Sequence, residues 1–130
     1  MIKILFLLVV LLVLTGCFNV LDSSDPVAVA ESAVNAIGSR DTVEVAKHFT
    51  PTPGAMMSAR LERQYALTDD CRVENVRAWL RYQTDVDARV QVEWDMVWIV
   101  NGVEDTDHQK VEMQLIKNKN KWYVNEAWSI

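Results

Sequence analysis

The sequence is short of the residues that build cross-links, metal centres and phosphate loops. It has 2 cysteines (Cys17 and Cys71), 4 glycines, 3 prolines and 2 histidines. The two cysteines give no metal-ligand spacing and no disulfide framework. No glycine-rich run cradles a phosphate, and no Ser-His-Asp arrangement is present. No cofactor and no metal is therefore implied. Basic residues are outnumbered, 13 against 18 acidic, and a net charge of -5 repels phosphate backbones, so no nucleic-acid partner is expected. Internal repeats and low-complexity tracts are also missing.

What is present begins with an apolar amino terminus. Lys3 is the only early charge, and Ile4 to Leu14 is an unbroken apolar run of 11 residues. That matches a signal h-region and falls short of the roughly 20 residues that span a bilayer core. Leu14-Thr15-Gly16-Cys17 follows directly. It resembles the bacterial lipobox: a leucine, two small residues that fit a narrow peptidase cleft, and a cysteine whose thiol accepts diacylglycerol. The resemblance implies a signal peptide over 1–16, cleavage before Cys17, and lipidation of Cys17. Several acyl chains on one residue exceed the two signals needed for stable anchoring. The competing reading is an uncleaved anchor over Ile4 to Leu21. Phe18 stands where an aspartate would retain a lipoprotein in the inner membrane of enteric bacteria. In a Gram-negative host this favours the outer membrane, facing the periplasm. Residues 17–24 then form a short lipidated tether, and 25–130 a single domain of ordinary size.

Helical signals come first in that domain. Asp25-Pro26 reads as an N-cap followed by proline at the first helical position. Val27, Ala30, Val34 and Ile37 recur at helical spacing, and Gly38 ends the helix. Asp41-Thr-Val-Glu44 reads as a capping box opening a second helix through His48. Pro51 and Pro53 are expected to break the chain. A third helix is expected over Ala55 to Ala66, with Met57, Leu61 and Tyr65 on one side.

Strand signals follow. Arg72 to Tyr82 is ambiguous. From Val86 to Val100 apolar and polar residues alternate, predicting a strand with one wet face. Val97 and Ile99 interrupt the alternation, which requires a register-flipping bulge or cover on both faces. Asn101-Gly102 is a strong hairpin signal. Further strands are expected near Asp107 to Lys117 and over Lys121 to Trp128, the last with Trp122, Val124 and Trp128 on one face. Helices followed by hairpin-linked strands predict an α+β domain, its helices packed on a curved, mostly antiparallel four-stranded sheet.

Three segments resemble the nuclear-transport-factor-2-like (cystatin-like) superfamily, and especially its small bacterial lipoproteins of unknown function. They are Asp25-Pro-Val-Ala-Val-Ala-Glu, Gly38-Ser-Arg-Asp41 followed by Val45-Ala46 and Phe49, and Asn120-Lys-Trp122-Tyr-Val124. The resemblance implies a cone between sheet and helices. It says little of function, because this superfamily hosts enzymes, binding proteins and secretion-system subunits.

Ketosteroid-isomerase-like enzymes of this superfamily need an acid or base in the cone beside a hydrogen-bond donor. The expected inward faces carry no carboxylate, so no catalytic residue is assigned. His48 is read as a helix-end residue, His108 as exposed, Tyr65 and Tyr82 as core-edge residues, and Asp85 as a turn former. Cys71, beside two aspartates, reads as a buried thiol. The five tryptophans could line a pocket or fill the core. Tyr65, Trp94, Trp98 and Trp122 are the ligand-pocket candidates.

The leading expectation is a membrane-anchored, non-catalytic envelope lipoprotein that binds a protein partner or a hydrophobic ligand. Its membrane contact is lipid on Cys17. The alternatives are a ketosteroid-isomerase-like enzyme and a self-associating (homodimeric or larger) subunit of an envelope or secretion assembly. In that last case the exposed sheet face, with Val97 and Ile99, would provide the contact.

Overall fold

The computed structural model describes residues 25–130. The signal segment, Cys17 and the tether lie outside these described residues. Three helices precede four strands: α1 (Pro26–Ile37), α2 (Thr42–Ala46), α3 (Pro51–Leu67), β1 (Asp70–Gln83), β2 (Asp87–Val100), β3 (Val103–Asn118) and β4 (Lys121–Ser129). The strands form one antiparallel sheet in sequence order, the expected α+β arrangement. Among the described residues no helix is long and apolar enough to cross a membrane.

Local chemistry sets most of the boundaries. The Asp25 carboxylate accepts from Val27 N at 2.9 Å and Pro26 fills the first helical position of α1. The Asp41 carboxylate accepts from Val43 N and Glu44 N and opens α2. Pro51 and Pro53 do not break the chain as expected, because they start α3. In the first turn a missing N–H costs nothing, since that donor has no helical partner. The β2–β3 turn uses Asn101 and Gly102, with φ of 53° and 77°, the twist a two-residue hairpin requires. Lys119 and Asn120, at 51° and 63°, make the same kind of turn between β3 and β4.

The inner face of the sheet is apolar and lies under the helices. Ala88, Val90, Val92, Trp94 and Met96 of β2 are buried there, as are Met113, Leu115, Trp122 and Val124. Val29, Ala30, Ala33 and Val34 of α1 complete the core. The α2–α3 junction is pinned to β4 by Thr50 N donating to Val124 O and Val124 N donating to His48 O, at 2.9 and 2.8 Å. Gly54 allows the close approach of α3 to this junction: a Cβ there would sit 3.3 Å from Ala46 O.

Two features depart from simple alternation. First, β2 pairs with β3 without a break, so no bulge explains Val97. It is 1% exposed because Arg72, directly opposite on β1, reaches across it to Glu104 on β3 through two bonds of 2.7 and 2.9 Å. Arg72 also pairs with Glu74. That end is covered on both faces, and Val97 is not free to bind a partner. The bulges lie instead in β1, between Glu74 and Arg77 and between Leu80 and Tyr82, and they curve the sheet. Second, a register shift between Gln114 and Leu115 turns Trp128 away from the face of Trp122 and Val124. Trp128 sits opposite Glu112 with the Arg89 guanidinium 5.6 Å from its ring centre.

Candidate functional site

The cone holds a cavity of about 260 Å³ between α3 and the inner sheet face. Helical spacing brings Met57, Arg60, Leu61 and Gln64 of α3 to it, and strand alternation brings Trp94, Met96 and Trp98 of β2. Gln109, Val111 and Met113 of β3 form the floor, with Ala33 and Ile37 of α1 and Phe49 closing one side. Ala127, Trp128 and Ser129 of β4 form the rim. A more polar groove continues beneath α3, sharing Phe49, Met57, Arg60 and Ala127 and adding Arg63, Asn125 and Glu126.

Of the four pocket candidates, Trp94 and Trp98 line the cavity, whereas Tyr65 and Trp122 lie outside its lining. The Tyr65 hydroxyl is committed elsewhere, donating to the Ile37 carbonyl at 2.6 Å. Burial pushes its pKa up to about 12. Its ring packs on Trp98 at 6.3 Å between centres and carries the Arg40 guanidinium at 5.2 Å. Trp122 is buried in the core below Lys117, whose ammonium stands 5.7 Å from the ring centre. The indole N–H groups of Trp94 and Trp122 find no acceptor among the described residues.

The titratable candidates are scattered. His48 is half-buried at the end of α2, outside the cavity lining, and burial lowers its pKa. Asp85 lies exposed in the β1–β2 turn, which is held by Thr84 Oγ1 accepting from Val86 N and Asp87 N. Tyr82 is on the outer face, paired with Arg89. His108 is on the outer face too, with Nδ1 2.9 Å from Asp95 Oδ1. Asn75 donates to the other Asp95 oxygen, and together they hold that carboxyl below its ordinary range. Cys71 is buried, 3.8 Å from the Ile37 carbonyl, and burial raises its pKa. No Asp, Glu or His lines the inner cavity, and no group of three or more metal-ligating side chains occurs among the described residues.

Sequence reasoning missed Arg60, Gln64 and Gln109. The signal for the first two was their i+3 and i+7 spacing from Met57, which puts them on one helical face. The signal for Gln109 was the alternation of β3, which puts it on the face of Val111 and Met113.

No protein-family model matches the chain, and no curated protein matches it in sequence. Solved structures do match in fold. One is a nuclear-transport-factor-2-like protein with a cystatin-like fold from Novosphingobium aromaticivorans, 10% identical, TM-score 0.62, covering 88% of this chain and 84% of that one. A second, from the same organism and provisionally named a scytalone dehydratase, is 10% identical, TM-score 0.64, covering 78% and 79%. A third is the intermembrane-space region of the chloroplast protein ARC6, 8% identical, TM-score 0.61, covering 78% and 91%. The fold is thus cystatin-like. At these identities it is shared by proteins named as enzymes and by others that are not, and it assigns no activity.

Proposed function

We propose that this cystatin-like cone is a lipid-tethered, non-catalytic binding domain of a bacterial cell envelope that takes a small, largely apolar ligand. The observation that carries the ligand reading is the cavity itself. It is lined by Trp94, Trp98, Met57, Met96 and Leu61, with Arg60, Gln64, Gln109 and Ser129 as its polar groups and no Asp, Glu or His among them. Apolar walls with a few polar groups are what a small-molecule site requires. An enzyme of the ketosteroid-isomerase type lacks support here, because the Tyr65 hydroxyl is held by Ile37 and His48, Asp85 and His108 lie outside the cavity. The tether reading rests on Leu14 to Cys17 directly after the apolar run.

One experiment addresses both parts. The protein is extracted from membranes and weighed by denaturing and by native mass spectrometry, as wild type and as Cys17→Ser. The tether predicts a mass reduced by residues 1–16 and increased by acyl chains, with both changes lost in Cys17→Ser. The ligand predicts an added small-molecule mass in the native spectrum that Trp94→Phe weakens. A full-length unmodified mass refutes the tether. An empty native spectrum, together with no uptake of medium-chain fatty acids or aryl ketones, refutes the ligand.

A second reading, self-association, has one observation in its favour. Trp79, Gln91, Glu112 and Trp128 form a row across all four strands on the outer face, and Trp79 is 38% exposed. Sedimentation at high concentration decides it: a monomer throughout refutes it.

A further inference from the structure

The end of the domain nearest the tether carries a surface of its own. The C-terminal end of α1 is held by Tyr65 and Cys71, which both face the Ile37 carbonyl. Gly38 lies there against Val73, near the start of β1. The helix packs on β1, β2 and β4 and is about 18 Å long at 1.5 Å per residue. Run along the strands from there, the helix brings its first turn toward the other end of the sheet. There β1 turns into β2 at Thr84–Val86, and β3 turns into β4 at Lys119–Asn120. These two tips are joined by Lys117 N donating to Val86 O at 2.9 Å. The β2–β3 turn at Asn101-Gly102 marks the opposite end.

The two ends differ in charge. Arg81, Arg89, Lys117, Lys119 and Lys121 are all exposed near the tether end. None pairs with a carboxylate among the described residues. The carboxylates on this end are Asp25, Asp85, Asp87 and Glu126, the last in the same row of the sheet as Arg89. Exposed apolar surface accompanies the bases: Val86 is 64% exposed and Tyr82 50%. The opposite end carries Asp69, Asp70, Glu104, Asp105 and Asp107, with Arg72 paired to Glu104. In a chain of net charge -5, the end where the tether begins is thus far less acidic than the opposite one, and its β3–β4 tip carries three lysines.

We infer that this end is a lipid-facing surface, resting its two hairpin tips on an anionic bilayer. The inference rests on the lipid tether proposed above. Lys117, Lys119 and Lys121 meet headgroup phosphates, while Val86 and Tyr82 sit at headgroup depth, as amphipathic side chains do. The tether fits this orientation. Residues 17–24 span at most about 28 Å when extended, less than the roughly 45 Å length of β2. The domain therefore stays near the membrane, and its charge asymmetry decides which end turns down. The attraction acts within a Debye length, about 8 Å at physiological salt, so only residues close to the surface take part.

The test uses the full chain on vesicles of phosphatidylglycerol and phosphatidylcholine carrying a headgroup-attached quencher. A thiol fluorophore is placed by Val86→Cys or, at the opposite end, by Val103→Cys, a site 68% exposed. The parent chain controls for labelling of Cys71, which is buried. The surface predicts several-fold stronger quenching at position 86 than at 103. It also predicts that the difference collapses on phosphatidylcholine alone, at about 1 M salt, or in the Lys117→Gln, Lys121→Gln double variant. Equal quenching at the two sites on acylated protein, or stronger quenching at 103, overturns the surface and leaves the tether standing. A chain that carries no acyl mass and does not float with vesicles overturns both.

Discussion

Filling the cavity gives a prediction whose sign depends on whether the space exists. Ala127 stands opposite Met113 on the inner face and lines both the cavity and the groove beneath α3. Ala127→Leu adds three carbons there. Full burial of each is worth about 0.8 kcal/mol, but the site is open on one side, so roughly half of that is realised. Ordering the leucine rotamer opposes it by about 0.5–1 kcal/mol. The net expectation is a gain of about 0.5 kcal/mol, or a rise in Tm of about 2–4 °C for a domain this small. The assay is thermal unfolding of both proteins by circular dichroism, paired with native mass spectra of ligand occupancy. A well-packed site would respond the other way, because forcing methylenes into a full core costs about 1–3 kcal/mol. Destabilisation by more than about 1 kcal/mol therefore refutes the cavity. A stabilised variant that still loads ligand fully shows that the ligand binds elsewhere.

Three further outcomes are expected. Tyr65→Phe removes the 2.6 Å bond to the Ile37 carbonyl and should cost about 1 kcal/mol in urea unfolding; an unchanged midpoint would show that the hydroxyl does not hold α1. Burial holds the His48 pKa below its ordinary 6.5, so the unfolded chain takes up this proton first as pH falls. Stability should decline from about pH 6.5 downward and level off below the folded-state value. His48→Gln should lack that component, as read from Tm measured at successive pH values. Arg72→Met keeps an apolar stem over Val97 whereas Arg72→Ala does not. The denaturation midpoint should stay near wild type in the first and fall in the second, and an equal fall in both would credit the ion pairs instead.

Much of the fold was legible because local chemistry and periodicity agreed. Asp25-Pro26, Asp41 and Asn101-Gly102 each act through bonds or dihedrals within a few residues, and the alternation through β2 reports a sheet with one dry face. The misreadings have non-local causes. Pro51 reads as a breaker until the chain direction makes it the first residue of α3. Val97 reads as a flipped or exposed position until Arg72, 25 residues earlier in the chain, is laid across it by strand pairing. Trp128 falls out of phase with Trp122 because of one register shift that a period-two count does not register. The site divides in the same way. Trp94 and Trp98 follow from alternation alone. Arg60 and Gln64 become cavity residues only once α3 is seated over the inner face of the sheet, and Tyr65 leaves the site through a bond to a carbonyl 28 residues away.

The proposed tether and the cavity constrain each other. With the two hairpin tips on the headgroups, as proposed, the rows of the sheet nearest Asn101-Gly102 point away from the bilayer. Trp94, Trp98, Gln109 and Ser129, which line the cavity, belong to those rows or to the ones just below them. The neighbouring groove opens beneath α3 beside Arg60 and Arg63, and Asn125 and Glu126 border it on β4. A ligand entering along this groove would pass two arginines. That geometry favours a solute with an apolar body and an oxygen-bearing or anionic end over an intact membrane lipid. It also makes the two proposals separable: reversing Lys117, Lys119 and Lys121 should change how the domain sits on the membrane without changing what the cone holds.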